Sequence, residues 1–179
     1  MSTNSKDLSH RLAAGADDAP AILAPDKATL THGGLRRLIA ATAERLHALG
    51  IGRRDRVAIV LPNGPEMATA FVAVAATAST APLNPAYRAD ELDFYLTDIG
   101  AKAILVSETE TGPAVAVAER LGIGVLRLVV QADAPAGSFT IEGAAAAISP
   151  PSWRSPAVPT CRSSRAARIW KRSRQTACA

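Results

Sequence analysis

The stretch from Arg56 to Val106, RVAIVLPNGPEMATAFVAVAATASTAPLNPAYRADELDFYLTDIGAKAILV, decides the reading of the fold. It opens with Val57-Ala58-Ile59-Val60-Leu61, an unbroken apolar run of the kind a strand shows when both of its faces are covered, as in parallel sheets. Pro62-Asn63-Gly64-Pro65 interrupts the run. Pro65 suits the first turn of a helix, where its missing N–H costs nothing, and the pattern predicts a helix from Pro65 to Ala78. A strand from Ser79 to Leu83 follows, then a helix from Asp90 to Ile99 with Leu92, Leu96 and Ile99 inward. Asp90, Glu91 and Asp93 crowd its positive end, and Gly100 stands after its last turn. Ala103 to Val106 reads as the next strand.

The alternation extends in both directions. Upstream, Ala21 to Leu30 reads as two short strands around the turn-forming Pro25-Asp26-Lys27. Thr31 can cap a helix whose apolar positions Leu35, Leu38, Ile39, Leu46 and Leu49 recur at helical spacing and which Gly50 ends; Arg36, Arg37, Glu44 and Arg45 read as its solvated face. Downstream, Pro113 to Leu121 is a helix closed by Gly122, and Val125 to Val130 a strand. Alternating helices and buried strands imply right-handed crossovers, so the expected class is α/β, a layered, mostly parallel sheet with flanking helices. Ala132 to Pro151 turns to Ala, Gly, Pro and Ser and reads as a linker, with a short helical turn expected at Ile141 to Ile148.

Composition narrows the class of protein. Of 179 residues 48% are hydrophobic and 20% charged, which suits a globular domain rather than a disordered or fibrous chain. The N-terminal MSTNSKDLSHR lacks the apolar stretch of a secretory signal. Met67 to Tyr87 is free of charge, but Pro82, Asn84 and Pro85 make it a buried helix and strand rather than a membrane span. Cys161 and Cys178 stand alone, without the spacing of a zinc site or a disulfide framework, and a cytoplasmic setting is expected.

The 56–106 stretch resembles the N-terminal part of the AMP-dependent, adenylate-forming acyl-CoA synthetase and ligase superfamily. The resemblance rests on Leu61-Pro62-Asn63-x-Pro65-Glu66, Ala81-Pro82-Leu83-Asn84-Pro85-x-Tyr87-x-x-x-Glu91-Leu92, Tyr95-Leu96-x-Asp98 and Ala101-Lys102-Ala103-Ile104-Leu105. Leu30-Thr31-His32-Gly33-Gly34-Leu35 falls where the family has Leu-Thr-Tyr-x-Glu-Leu, and Gly34 replaces the glutamate that would complete a capping box with Thr31. In all, the resemblance spans about Ala21 to Val130. APLNPAY with ELDFYLTD, and Thr77 where many relatives have glycine, is similar to the oxalate–CoA ligase branch.

The resemblance implies a small carboxylic acid, ATP, Mg and CoA as the intact family's substrates and cofactors, with acyl-CoA, AMP and pyrophosphate as products. Gripping the phosphates takes a Ser/Thr/Gly loop with free backbone N–H groups and a lysine. The family's loop, like Ser-Gly-Thr-Thr-Gly-x-Pro-Lys, is not found in these 179 residues, nor is the later adenine segment or the C-terminal catalytic lysine. We therefore assign no catalytic, cofactor-binding or metal-ligating residue, bind no cofactor to this piece, and expect it to be inactive alone, with a separately encoded remainder as a partner. Tyr87, Arg88 and Glu91 are expected only to fix the strand-to-helix connection.

The expected layout is a flexible N-terminus at 1–18, the ligase-like part at 19–131, a linker at 132–150 and a basic, disordered tail at 151–179. Residues 1–150 hold 13 Lys/Arg and 16 Asp/Glu, whereas 151–179 hold seven basic residues and no acid. The reading taken is that the tail is out of frame. The alternative is a small α/β binding domain whose basic tail, with Trp170 between Arg168 and Arg172, meets nucleic acid or another anion. His10, His32 and His47 lack a partnering nucleophile or carboxylate and are read as surface or cap residues. Gly122-Ile123-Gly124 precedes a strand rather than opening a helix and is no dinucleotide fingerprint.

Overall fold

In the computed structural model, which describes residues 15–144, strand β1 (Pro20–Ile22) pairs antiparallel with β2 (Leu30–Thr31). Asp26 turns this hairpin with a φ of 57°, a left-handed conformation that Asp tolerates better than most residues. Helix α1 (His32–Ala48) follows, its N-terminus capped by the Thr31 hydroxyl, which accepts from the Gly34 N–H at 3.2 Å. Three βα units come next: β3 (Arg56–Val60) with α2 (Pro65–Ala75), β4 (Ser79–Pro82) with α3 (Ala89–Ile99), and β5 (Ala103–Ser107) with α4 (Pro113–Arg120). Strands β6 (Gly124–Val129) and β7 (Thr140–Glu142) complete the sheet.

The sheet order is β4-β3-β5-β6-β7, parallel except for β7, with Ile59 opposite Leu105 and Leu105 opposite Leu126. Side chains alternate across β3, and each face feeds its own core. Val57, Ile59 and Leu61 pack with Leu46 of α1 and Ala70, Ala73 and Val74 of α2. Ala58 and Val60 pack on the other face with Leu92 and Leu96 of α3 and Val115 and Val117 of α4. The sheet is thus sandwiched, which is the layered α/β architecture expected from the alternation.

Three expectations need correction. Helix α2 stops at Ala75, not Ala78: Thr77 and Ala78 donate back to the Val74 carbonyl, and the chain turns so that the Ser79 N–H reaches the Asp55 carbonyl at 3.0 Å. Ile141 lies in a strand, not a helical turn. Its side chain is buried against the β6 side of the first core while Thr140 and Glu142 face out, a period-2 pattern too short to stand out in its Ala/Gly surroundings. Finally, Arg36 and Arg45 are not merely solvated: Arg36 pairs with Asp17, and Arg45 donates to the carbonyls of Ile141 at 3.1 Å and Gly143 at 2.8 Å, tying α1 to β7.

Residues 130–139 are tied to α2 by a buried hydrogen bond, in which the Thr69 hydroxyl donates to the Gly137 carbonyl at 2.6 Å, and by Phe139 in the same core. Gly137 has a φ of 73°, and a Cβ there would lie 2.9 Å from the Pro65 carbonyl oxygen. Gly50 has a similar φ of 72° but open space around it. Gly50→Ala should therefore cost only the left-handed penalty, about 1 kcal/mol, and Gly137→Ala at least about twice that because the clash adds to it. Urea midpoints of the two variants measure this, and equal shifts would show that the Pro65 carbonyl yields freely.

Candidate functional site

Because β3 feeds α2 on one face and β5 feeds α4 on the other, the loops leaving these adjacent strands diverge. Open α/β sheets characteristically bind ligands in such a crevice, beyond the carboxyl ends of the strands where the strand order reverses. Here that crevice is a cleft of about 240 Å³. Leu61, Pro62, Asn63 and Gly64 from the β3 loop form one wall, Ser107, Glu108 and Thr109 from the β5 loop the other, and Met67, Leu128 and Val130 the apolar floor.

Arg127 holds the second wall in place. It sits near the end of β6, and its Nη1 donates to the carbonyls of Glu108 at 2.8 Å, Glu110 at 2.9 Å and Ser107 at 3.5 Å. One guanidinium thus gathers three backbone acceptors of a loop that would otherwise turn them to water. Glu110 adds a link, accepting from the Gly112 N–H at 2.6 Å ahead of α4. The sequence signal for this clamp was a lone arginine inside an otherwise apolar strand, and nothing local says where such a side chain reaches.

The charge in the cleft is negative. Glu66 and Glu108 both line it, and no Lys or Arg does so among the described residues. Lys27 approaches Glu66 at 3.8 Å, a half-buried pair that offsets part of one carboxylate. Pro65 starts α2 behind Gly64, which provides no side-chain cap, but Glu66 already sits in the first turn and meets the helix's positive end. The Asn63-Gly64-Pro65 corner is a turn compensated by its own carboxylate. These residues do not fit a nucleotide triphosphate, and no group of three or more His, Cys, Asp or Glu side chains is placed to hold a metal among the described residues.

The residues that carry the family resemblance build connections. Asn84 accepts from the Ala86 N–H through its side chain at 2.9 Å and from the Tyr87 N–H through its carbonyl at 3.1 Å, forming the turn after β4. Glu91 accepts from the Arg88 N–H at 2.9 Å, closing the start of α3. Tyr87 stacks on Tyr95 with ring centroids 5.1 Å apart, and its hydroxyl is held above the usual phenol range, first by a hydrogen bond to Tyr95. Lys102 donates to the Gly50 carbonyl at 2.6 Å and to Asp55 at 3.1 Å, pinning the turn between α1 and β3. Of the histidines, His47 is exposed, His32 has a buried Nδ1 with no partner among the described residues, and His10 lies outside them. Cys161, Cys178 and the basic tail are outside them too.

The profile of the AMP-binding enzyme family matches residues 9–167. The chain belongs to this family. Oxalate–CoA ligase of Arabidopsis thaliana is 42% identical over 108 residues, 59% of this chain and 21% of that protein. A probable CoA ligase of Humulus lupulus is 38% identical over 117 residues, 65% of this chain and 22% of its own length. Among solved structures, apo MatB from Rhodopseudomonas palustris superposes with a TM-score of 0.60 at 28% identity, covering 68% of this chain and 25% of that one. A benzoate CoA ligase from Burkholderia xenovorans also gives 0.60, at 20% identity, which speaks for the fold alone. The chain therefore spans about a fifth of the length of these relatives. No helix among the described residues is long and apolar enough to cross a membrane.

The clamp gives a direct test. Arg127→Ala removes a charged donor from three carbonyls and should cost roughly 1–3 kcal/mol, with faster amide exchange concentrated in residues 107–112. Arg127→Lys should recover only part, since an ammonium lacks the planar fork. Hydrogen exchange by mass spectrometry reads both. Unchanged protection of that peptide in Arg127→Ala would remove the clamp from the account.

Proposed function

We propose that this chain supplies the N-terminal scaffold of an AMP-forming ligase that joins a small carboxylic acid to CoA, and that these 179 residues do not by themselves form an acyl adenylate. The observation that carries the reading is the 42% identity to an oxalate–CoA ligase, set beside a switch-point cleft lined by two carboxylates and no cation among the described residues. A triphosphate needs backbone N–H groups and cations around it, and the Ser/Thr/Gly loop ending in Pro-Lys that would provide them does not occur in the sequence. ATP, Mg and CoA are accordingly assigned to the whole ligase, which works in the cytoplasm. Resemblance of APLNPAY and ELDFYLTD to the oxalate branch, with Thr77 buried behind α2, makes a short acid such as oxalate the first substrate to try.

In this reading residues 19–131 are the ligase-type part, and the phosphate loop, the adenine segment and the catalytic lysine belong to segments other than these 179 residues. The out-of-frame origin of 151–179 stands against a family match that runs on to residue 167. The nucleotide sequence decides between them, because a frame downstream of codon 150 either encodes the phosphate loop or does not.

Activity is tested with the purified 179-residue chain, Mg-ATP and oxalate or another short acid, followed by pyrophosphate release. No release is expected, while co-expression with the following reading frame should produce the CoA thioester. Adenylate formation by the chain alone would overturn the reading.

A further inference from the structure

The chain is poor in aromatics, yet three of the five among the described residues, Tyr87, Phe94 and Tyr95, gather on the outer side of α3. Phe94 stands in water at 63% exposure. Its ring lies 5.3 Å from that of Tyr95 at 72°, and Tyr95 in turn stacks on Tyr87, so the three rings form one continuous aromatic cluster. Helix α3 does not need Phe94 for folding, because its inward face is filled by Leu92 and Leu96, both essentially inaccessible.

The neighbours of Phe94 on this face are acidic. Asp90 lies one turn before it and Asp98 one turn after, both exposed and both without a hydrogen-bond or ion-pair partner among the described residues. Glu91 is occupied by the Arg88 N–H, and Asp93 by Arg120 at 2.7 Å. Arg88, at the N-terminal end, is the cation that flanks the stripe. The free groups are thus carboxylate, aromatic ring, carboxylate, in a line, at a spacing of about 6 Å per step for a rise of 1.5 Å per residue.

We propose that this face of α3 docks an extended segment of a partner protein carrying arginines at alternate positions. Alternate side chains of an extended chain leave the same side about 6.6 Å apart, which matches the spacing of Asp90, Phe94 and Asp98. A guanidinium can lie flat on an aromatic ring while its neighbours fork onto carboxylates, and arginine does both better than lysine. The free charge of the stripe is complementary to such a segment and repels an acidic one. The surface lies on the far side of the sheet from α1 and α2.

The test uses the full 179-residue chain and an acetylated Arg-Ala-Arg-Ala-Arg peptide, with the citrulline version as a neutral control of equal shape. Amide shifts in a ¹H–¹⁵N spectrum should concentrate in residues 87–98 with the arginine peptide and be absent with citrulline. Phe94→Ala should weaken binding roughly two- to fivefold, and Asp90→Asn with Asp98→Asn should weaken it and flatten its dependence on salt. All these positions are exposed, and circular dichroism melts confirm that the variants stay folded. The proposal fails if the peptide does not bind, if citrulline binds as well, or if both variants keep full affinity. It also fails if sedimentation finds a dimer abolished by Phe94→Ala, since the face would then belong to a second copy of the chain.

Discussion

Double-sided burial of β3 is the constraint from which the rest of the architecture follows. With β4 and β5 on its two edges, its backbone groups are paired within the sheet, and with helices over both faces every side chain from Val57 to Leu61 is buried. Ala58 shows how narrow the fit is. Only its methyl separates the strand from the α3 and α4 layer, whereas Ile59 fills the opposite side against α2, and a one-residue slip would exchange the two volumes. The same strand therefore fixes register, layer spacing and the point where the chain must diverge into a cleft.

The parts legible from sequence are those set by local periodicity and by single punctuating residues. Pro65 and Pro113 at helix starts, Thr31 as a cap, and Gly50, Gly100 and Gly122 in left-handed turns mark helix ends to within a residue or so, apart from the end of α2. The parts that escaped depend on partners far along the chain. Arg45 reaches residues nearly a hundred positions away, Thr69 reaches Gly137, and Arg127 reaches back across the β5 loop. Strand β7 escapes for the same reason, because its three-residue alternation is too short to signal and its stability comes from pairing with β6 and from Arg45. The cleft was half legible: the Asn63-Gly64-Pro65 corner was recognised as a turn, but its opposite wall was not, since nothing in the sequence brings Ser107 beside it.

The recognisable motifs prove to be folding instructions. Asn84, Tyr87 and Glu91 spend their polar groups on one turn and one helix start, and Lys102 with Asp55 closes another connection. Each of these bonds satisfies backbone groups that leave regular structure, where an unpaired donor or acceptor is costly. A resemblance carried by such residues identifies a scaffold strongly and a chemistry only through the company that scaffold keeps in its relatives.

The electrostatics of the cleft point the same way. At an effective dielectric constant near 20, like charges about 4 Å apart repel by roughly 4 kcal/mol, so a phosphate entering between Glu66 and Glu108 would need cations and backbone donors from elsewhere to be held at all. Lys27, 3.8 Å from Glu66, offsets part of that carboxylate only, and Glu108 has no ion-pair partner among the described residues. A wall of this sign makes the cleft the wrong place for an anion. Arg127 holds the β5-loop wall in register with the sheet.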